Sequence, residues 1–165
     1  MPLRTSKIAI LIVVPMLLFA CTTDMLVSEY RSMGGLWQKN DPVSFEIPEM
    51  DSSKVYNIFL NVRNTNEYPF NNIFLIATME FPNGKTLVDT LEYKMAYPNG
   101  EWMGEGIGSV KENKLWYKEN VTFFEEGNYN ITITHAVRNN GDVEGVSILE
   151  GISDVGYSIE ESKEQ

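Results

Sequence analysis

The sequence predicts an all-β protein: an antiparallel β-sandwich of jelly-roll or immunoglobulin-like type, preceded by a signal peptide and a short tether. Three observations support this prediction. From residue 43 onward, apolar and polar residues alternate with a period of two, which is typical of strands with one wet face. Turn signals rich in glycine, proline and asparagine recur between these runs, and no amphipathic helix interrupts them. Residues 42–162 are therefore expected to form one sandwich domain.

The alternating runs indicate seven or eight short strands, and seven can be placed along the chain. They are predicted over residues 43–47, 56–63, 73–81, 86–93, 115–124, 129–137 and 155–159. The third run is apolar on both faces, through Phe74 and Ile76, and this pattern indicates a central strand. Pro82-Asn83-Gly84 follows that run, and an Asn-Gly pair between two such runs predicts a hairpin.

The first twenty residues have the pattern of a secretory signal peptide. Arg4 and Lys7 supply positive charge, and residues 8–20 form an apolar run of thirteen residues interrupted by Pro15. A helix needs roughly 20 apolar residues to cross the hydrocarbon core of a bilayer. The run is too short for that, so we expect residues 1–20 to be removed from the exported protein.

The apolar run ends in Leu18-Phe19-Ala20-Cys21, which resembles the lipobox of bacterial lipoproteins, although Phe19 is larger than the usual residue there. A thiolate is the nucleophile that accepts a diacylglyceryl group, and cleavage before Cys21 frees an amine for a further acyl chain. We expect Cys21 to be the lipidation site that anchors the protein to a membrane. The alternative is an unmodified thiol behind an ordinary signal peptide. Residues 21–41 are interpreted as the lipidated N-terminus and tether, with a short helix over residues 24–30.

The charge of the exported chain limits its partners. The 145 residues from Cys21 onward carry eleven basic and 23 acidic side chains, a formal net charge of −12. Such a surface repels phosphate backbones and anionic headgroups, so nucleic acid is excluded as a partner. We expect the lipid anchor, and not the surface charge, to provide the attachment to the membrane. Cys21 is the only cysteine, so no intrachain disulfide can form and the fold has to rest on its hydrophobic core.

No residue pattern in the chain indicates catalysis, a metal site or a cofactor. His135 is the only histidine and has the parity of its apolar strand neighbours, so we expect it to point into the core. Without a second histidine or a free cysteine, a zinc site lacks suitable ligands. The glycines of residues 104–108 lack the Lys-Ser/Thr ending of a phosphate-binding loop and indicate a flexible or tightly turned loop instead.

Three aromatic residues are the candidates for partner binding: Trp102, Trp116 and Tyr117. Exposed aromatic side chains offer a large rigid area at low entropic cost, and they stack on sugar rings or form hot spots of protein interfaces. The alternative is that these side chains cap the ends of the sandwich.

One short motif indicates a covalent modification. Asp89-Thr90-Leu91 resembles the three-residue O-glycosylation signal of exported proteins in Bacteroidota, which makes Thr90 a candidate site. Because a three-residue match is common by chance, the alternative is an unmodified strand residue.

Segments distributed over the whole chain together resemble one family. They begin with Glu29-Tyr30-Arg31 and Trp37 and close with residues 151–156; between them lie residues 41–45, 57–64, 68–70, 72–75, 79–84, 89–93, 104–106 and 111–118. In this order they are similar to the gliding-motility lipoprotein GldH family of Bacteroidota. The resemblance implies an exported lipoprotein of the gliding machinery, which is linked to type IX secretion, with a structural or assembly role. It offers no catalytic residues, and Cys21 is the one functional position carried over.

Two functions follow as hypotheses. The first is a lipid-anchored, non-catalytic component of the cell envelope that binds other envelope, gliding or type IX secretion proteins through an edge strand or an aromatic loop face. The second is a glycan-binding surface lipoprotein, which a sandwich fold with loop tryptophans permits. Surface-exported lipoproteins of these bacteria commonly carry acidic residues after the cysteine, whereas residues 22–25 contain one acid, and this favours a periplasm-facing position. The hypothesis that the protein is an enzyme is supported only by scattered carboxylates.

Overall fold

The computed structural model describes residues 25–139 and 141–163, which form eight strands in two antiparallel sheets. The predicted signal peptide, residues 1–20, and the predicted lipidation site, Cys21, lie outside the described residues. The strands are β1 (Met25–Gln38), β2 (Val43–Ile47), β3 (Tyr56–Asn64), β4 (Asn72–Glu80), β5 (Thr86–Lys94), β6 (Lys111–Val121), β7 (Tyr129–His135) and β8 (Ile148–Glu161). The β1 sheet has the order β1-β8-β3-β6, and the β2 sheet has the order β2-β7-β4-β5. No helix in these ranges is long and apolar enough to cross a membrane.

The strand order is that of a jelly roll. Four antiparallel pairs are nested in the chain, since β4 pairs with β5, β3 with β6, β2 with β7 and β1 with β8. The chain is therefore one long hairpin whose tip is the β4–β5 turn and whose two arms are wrapped into facing sheets. The predicted β-sandwich is confirmed. Of its two predicted types, the nested order is the jelly roll and not the immunoglobulin fold.

The predicted strands are confirmed, with differences at their ends. β2 has the predicted bounds, and the bounds of β3, β4, β5 and β7 differ from the prediction by at most two residues. β4 lies between β7 and β5, which confirms it as an interior strand. The predicted hairpin at its end is also confirmed, because the Phe81 amide donates to the Lys85 carbonyl oxygen at 2.8 Å and Gly84 takes a φ of 84°. β8 begins seven residues earlier than predicted, at Ile148.

The hydrophobic core lies between the two sheets and is built from alternate residues of their strands. In β7, for example, Tyr129, Ile131, Ile133 and His135 are buried, and the residues between them are half-buried on the outer face. The largest fully buried side chains are Trp37, Tyr56, Tyr157, Ile58, Leu60, Ile73, Leu75, Met95, Ile131, Ile133, Leu149 and Ile152. Both sheets contribute to this set, so neither is stable without the other.

The tether and the helix predicted before residue 42 are wrong for the described residues. Met25–Gln38 forms β1, which pairs with β8 through eleven Cα pairs. The sequence conceals this strand because its register shifts after Met25 and around Gly34 and Gly35, which take positive φ values of 62° and 86°. Such bulges break the period of two on which strand prediction depends. The sandwich therefore includes Met25 and does not begin at residue 42.

A close approach between β1 and β8 holds β1 in place. Tyr30 pairs with Gly156, where an added Cβ atom would overlap the Glu29 carbonyl oxygen and lie 2.8 Å from Tyr30 Cδ1. Only glycine therefore leaves room for the Tyr30 ring to cross above β8. Farther along β1 the Trp37 side chain is completely buried, and its Nε1 donates to the Asp41 carbonyl oxygen at 3.0 Å. The strand is thus secured by side chains on both of its faces.

The two ends of the sandwich differ in their loops. At the end where β1 begins, which we call the proximal end, the connections are residues 48–55, 81–85 and 122–128. At the opposite end, which we call the distal end, they are residues 39–42, 65–71, 95–110 and 136–147. The two longest connections are both distal. The distal end therefore has the more elaborate loop surface.

The substitution Gly156→Ala should lower the free energy of unfolding by about 2 to 3 kcal/mol, because the added methyl group forces β1 away from β8. Urea unfolding measures this change. Gly145→Ala is the matched control, since the Cβ atom added there would meet chiefly the flexible end of the Lys39 side chain, with Nζ at 2.8 Å. A loss of stability for Gly156→Ala no larger than that of the control would contradict the close approach.

Candidate functional site

Trp102 lies at the distal end of the sandwich, in the loop between β5 and β6. Its Nε1 donates to Asn66 Oδ1 at 3.0 Å, and its ring centroid lies 6.1 Å from that of Tyr68. Tyr68 is itself buried, contacts Phe70 and donates its hydroxyl hydrogen to the Asn72 carbonyl oxygen. Trp102 is half-buried in this cluster, an arrangement that fits the capping alternative.

Trp116 is the most exposed of the three predicted aromatic residues. It points outward from β6 and is 52 % exposed, and its ring packs against Phe59 with centroids 4.4 Å apart. A cleft of about 620 Å³ opens beside it. The cleft is lined by Val55, Asn57, Trp116, Glu119, Asn120, Ser162 and Lys163. An exposed indole beside amide and carboxylate groups has the chemistry to stack on a sugar ring.

Tyr117 points into the sandwich, so the prediction that it offers a surface to a partner is wrong. It follows Trp116 on β6 and therefore has the opposite orientation. The side chain is buried, burial raises the pKa of its hydroxyl, and that hydroxyl donates to Asp89 Oδ2 at 3.1 Å. Lys118 forms an ion pair with the same carboxylate at 2.8 Å. These contacts join the edge strands β5 and β6 of the two sheets.

Thr90 lies in the middle of β5, an edge strand, and its side chain is exposed on the outer face of the β2 sheet. Its two neighbours in the motif point the other way. Asp89 is engaged by Tyr117 and Lys118, and Leu91 packs against the core. The folded domain therefore presents the threonine hydroxyl to solvent but not the whole motif.

The outer face of the β1 sheet carries a network that sequence reasoning missed. The Tyr30 hydroxyl on β1 donates to Glu112 Oε1 at 2.7 Å, and Glu112 lies on β6 at the opposite edge of the sheet. Between them lies Arg63 on β3, whose Cζ is 4.1 Å from the Tyr30 ring centroid and whose Nε donates to Glu112 Oε2 at 2.9 Å. We call this network the Tyr30–Glu112 strut. It spans the four strands of the sheet because Gly156 leaves room for the Tyr30 ring above β8.

The strut joins a protonated phenol to a charged carboxylate. Burial raises the pKa of Tyr30 to about 12, and the hydrogen bond to Glu112 adds to this effect. Burial also raises the pKa of Glu112, but the hydrogen bonds from Tyr30 and Arg63 and the Arg63 charge outweigh it, so that this pKa lies below its usual value. Hydrogen bonds to an ionised carboxylate are stronger than neutral ones. Tyr30, Arg63 and Glu112 all lie in segments that resemble the family, but their spacing along the chain gave no sign that they meet.

The histidine is a core residue, as predicted. His135 is buried, its Nε2 lies 3.1 Å from the Trp37 carbonyl oxygen, and its ring contacts the Trp37 indole edge-on. Burial lowers its pKa. Within residues 25–139 and 141–163, no three His, Cys, Asp or Glu side chains form a group that could hold a metal ion.

The glycine-rich loop of residues 104–108 is tightly turned. Glu105 and Glu112 exchange two backbone hydrogen bonds of 2.9 and 2.7 Å, so the loop adds a short segment to the edge of β6. A Cβ atom added to Gly104 would lie 2.8 Å from Asn113 Oδ1, and Gly106 takes a φ of 145° with no space beside the Val110 carbonyl oxygen. The glycines therefore allow two backbone segments to approach closely. Of the two predictions for this loop, flexible or tightly turned, the second is confirmed.

The two most exposed large apolar side chains of the described residues lie in the distal loops. Ile107 is fully exposed beside the glycine-rich turn, and Val143 of the β7–β8 loop is 87 % exposed. Tyr97, Met103 and Val110 of the β5–β6 loop are exposed as well. Apolar groups held in water by an ordered loop are typical of a surface that another molecule covers. The distal end and the Trp116 cleft are thus the two candidate binding surfaces.

The chain matches the family model described as "GldH lipoprotein" over residues 25–159. It is 48 % identical over 161 residues to the protein named "Gliding motility lipoprotein GldH homolog" of Christiangramia forsetii, a match that covers 97 % of this chain and 99 % of that protein. It is also 48 % identical over 159 residues to the "Gliding motility lipoprotein GldH" of Flavobacterium johnsoniae, with 96 % and 99 % covered. No solved structure matches the chain. The family model spans all eight strands of the jelly roll almost completely, so the chain belongs to the GldH lipoprotein family.

Proposed function

We propose that this protein is an acylated lipoprotein of the cell envelope that serves as a non-catalytic structural component of the gliding machinery, linked to type IX secretion. The observation that carries the proposal is family membership across residues 25–159, together with relatives named for gliding motility. The arrangement of the sandwich supports it, because the expected anchor and the exposed apolar loops lie at opposite ends. A component that connects a membrane to another protein requires that separation.

The anchor holds the sandwich close to the bilayer. Cys21 lies four residues before Met25, where β1 begins, so the two Cα atoms are at most roughly 14 Å apart. The proximal end therefore faces the membrane. A strand such as β3 has nine residues and is about 30 Å long, so the distal loops project at least that far from the proximal end.

The distal loops are the proposed partner surface. Tyr97, Met103, Ile107 and Val110 offer apolar area on a loop that is fixed to β6 by backbone hydrogen bonds, so a partner would meet a preformed surface. Trp102 supports this loop from beneath. Other envelope, gliding or type IX secretion proteins are the proposed partners, and the single acid in residues 22–24 supports a periplasm-facing position.

The substitution Cys21→Ala should leave the sandwich folded and release it from the membrane, because one acylated residue provides the anchor. Fractionation of cells and the intact mass of the purified protein measure this. The wild-type protein should be membrane-bound and heavier than its polypeptide by a diacylglyceryl group and a further acyl chain. A Cys21→Ala protein that stays with the membrane after a salt wash would contradict lipid anchoring.

The double substitution Met103→Ser and Ile107→Ser should reduce the partner recovered by a crosslinked pull-down from native envelopes at least about tenfold, because it removes the apolar centre of the surface. Val88→Ser is the matched control, since Val88 is an exposed apolar residue on β5 outside the distal loops. Mass spectrometry should find gliding or type IX secretion components with the wild-type and control proteins. Equal recovery of these components with the double variant would show that the partner binds a surface other than the distal loops.

Glycan binding is the second candidate function, and the exposed indole of Trp116 beside its cleft favours it. Affinity electrophoresis with soluble polysaccharides tests it. If the cleft binds sugar, Trp116→Ala should abolish retention, because the substitution removes the indole face on which the sugar ring would stack. Phe124→Ala is the control, since Phe124 is an exposed aromatic residue that does not line the cleft. A wild-type protein that no polysaccharide retards would eliminate this candidate.

We also propose Thr90 as an O-glycosylation site, because its hydroxyl is exposed on an edge strand. Asp89 is engaged in the folded domain, so an enzyme that reads the whole motif would act on the chain before β5 is in place. The intact-mass measurement on native protein reports this as a hexose-containing mass increment that Thr90→Ala removes. A native mass with no hexose increment beyond the acyl groups would refute the site.

A further inference from the structure

β1 is the strand through which any pull on the anchor enters the fold. Cys21 precedes it by four residues, and the proposed partner surface lies at the other end of the sandwich. We propose that β1 transmits tension from the lipid anchor to the distal loops through its pairing with β8. This inference rests on the proposed function, which supplies an anchor and a partner at opposite ends.

The direction of the load decides how β1 responds. Hydrogen bonds between antiparallel strands run perpendicular to the strands. A pull on residue 21 along the axis of β1 therefore shears all eleven paired positions against β8 at the same time. A pull across the sheet would instead open the pairs one after another, beginning with Met25 and Glu160. Tension between the anchor and the distal loops acts along the axis of β1, so it loads the β1–β8 pairs in shear.

The Tyr30–Glu112 strut carries the load beyond β8. It connects β1 with β6 at the far edge of the sheet, so tension on β1 does not depend on the β1–β8 ladder alone. Glu112 is also the residue whose backbone holds Glu105 of the distal loop. A continuous series of contacts therefore runs from Tyr30 through Glu112 to the loop that presents Ile107.

Trp37 opposes sliding of β1 toward the membrane. Its indole is completely buried, donates to the Asp41 carbonyl oxygen and contacts His135 of the β2 sheet. If β1 moved along its axis, this ring would have to pass through a close-packed core. The side chains of Tyr30 and Trp37 lie on opposite faces of the β1 sheet, so both faces resist the same displacement.

Single-molecule force measurements on residues 21–165, expressed without the signal peptide and therefore unacylated, test the proposal. Cys21, the only cysteine, is one attachment point. In the axial geometry the other is Ile107→Cys, a fully exposed position. In the lateral geometry it is a cysteine appended after Gln165, because the last residues of β8 pair with the first residues of β1. At equal loading rate the axial rupture force should exceed the lateral one roughly threefold or more, since the ladder bonds share the axial load.

Variants separate the strut from general stability. Tyr30→Ala, and the milder Glu112→Gln, should lower the axial rupture force more than the lateral one. Leu36→Ala is the matched control, because Leu36 is an exposed residue of the same strand, and it should leave both forces unchanged. Equal axial and lateral forces in the wild-type protein would overturn the proposal, as would an axial force that neither strut variant lowers. The measurement needs neither lipid nor partner. Its result can therefore be interpreted even if the proposed function is wrong.

Discussion

The antiparallel pairing of β1 with β8 holds the first strand in the sandwich. It joins residues more than 100 positions apart and closes the outermost of the four nested strand pairs. Without it, β8 would expose a long edge of unpaired backbone groups, and the buried Trp37 would leave the core. The entropic cost of closing so long a loop grows only slowly with its length, so one well-packed ladder is able to offset it.

Side chains of β6 explain an unusual feature of the outer face of the β1 sheet. Outer faces of antiparallel sheets are ordinarily wet, yet Phe59, Asn61 and Ser158 are buried there. Trp116 covers Phe59 from β6, and Lys114 Nζ lies 4.1 Å from the centroid of the same ring. Aromatic residues that look like binding groups therefore have a structural task on this face, and only the free side of Trp116 remains for a ligand.

The two ends of the sandwich differ in structure. One end begins with β1, a strand fixed on both faces, and the other end presents loops with exposed apolar side chains. A flexible tether of twenty residues would let the domain sample many orientations. With only residues 22–24 between Cys21 and β1, the proposed acylation of Cys21 would instead hold the domain at the membrane with its distal loops directed away. Such an arrangement suits a component that connects and aligns other proteins.

Sequence alone predicted the strands with regular alternation, the hairpin at Asn83-Gly84, the inward orientation of His135 and the family. These features depend on local period, turn chemistry or segment order, all of which can be read along the chain. Three features are visible only in the folded structure: residues 25–38 form a strand, Tyr117 points inward, and Tyr30 reaches Glu112. Each of these features depends on a partner far away in the chain. In β1, the bulges at Gly34 and Gly35 also interrupt the period of two from which a strand would have been predicted.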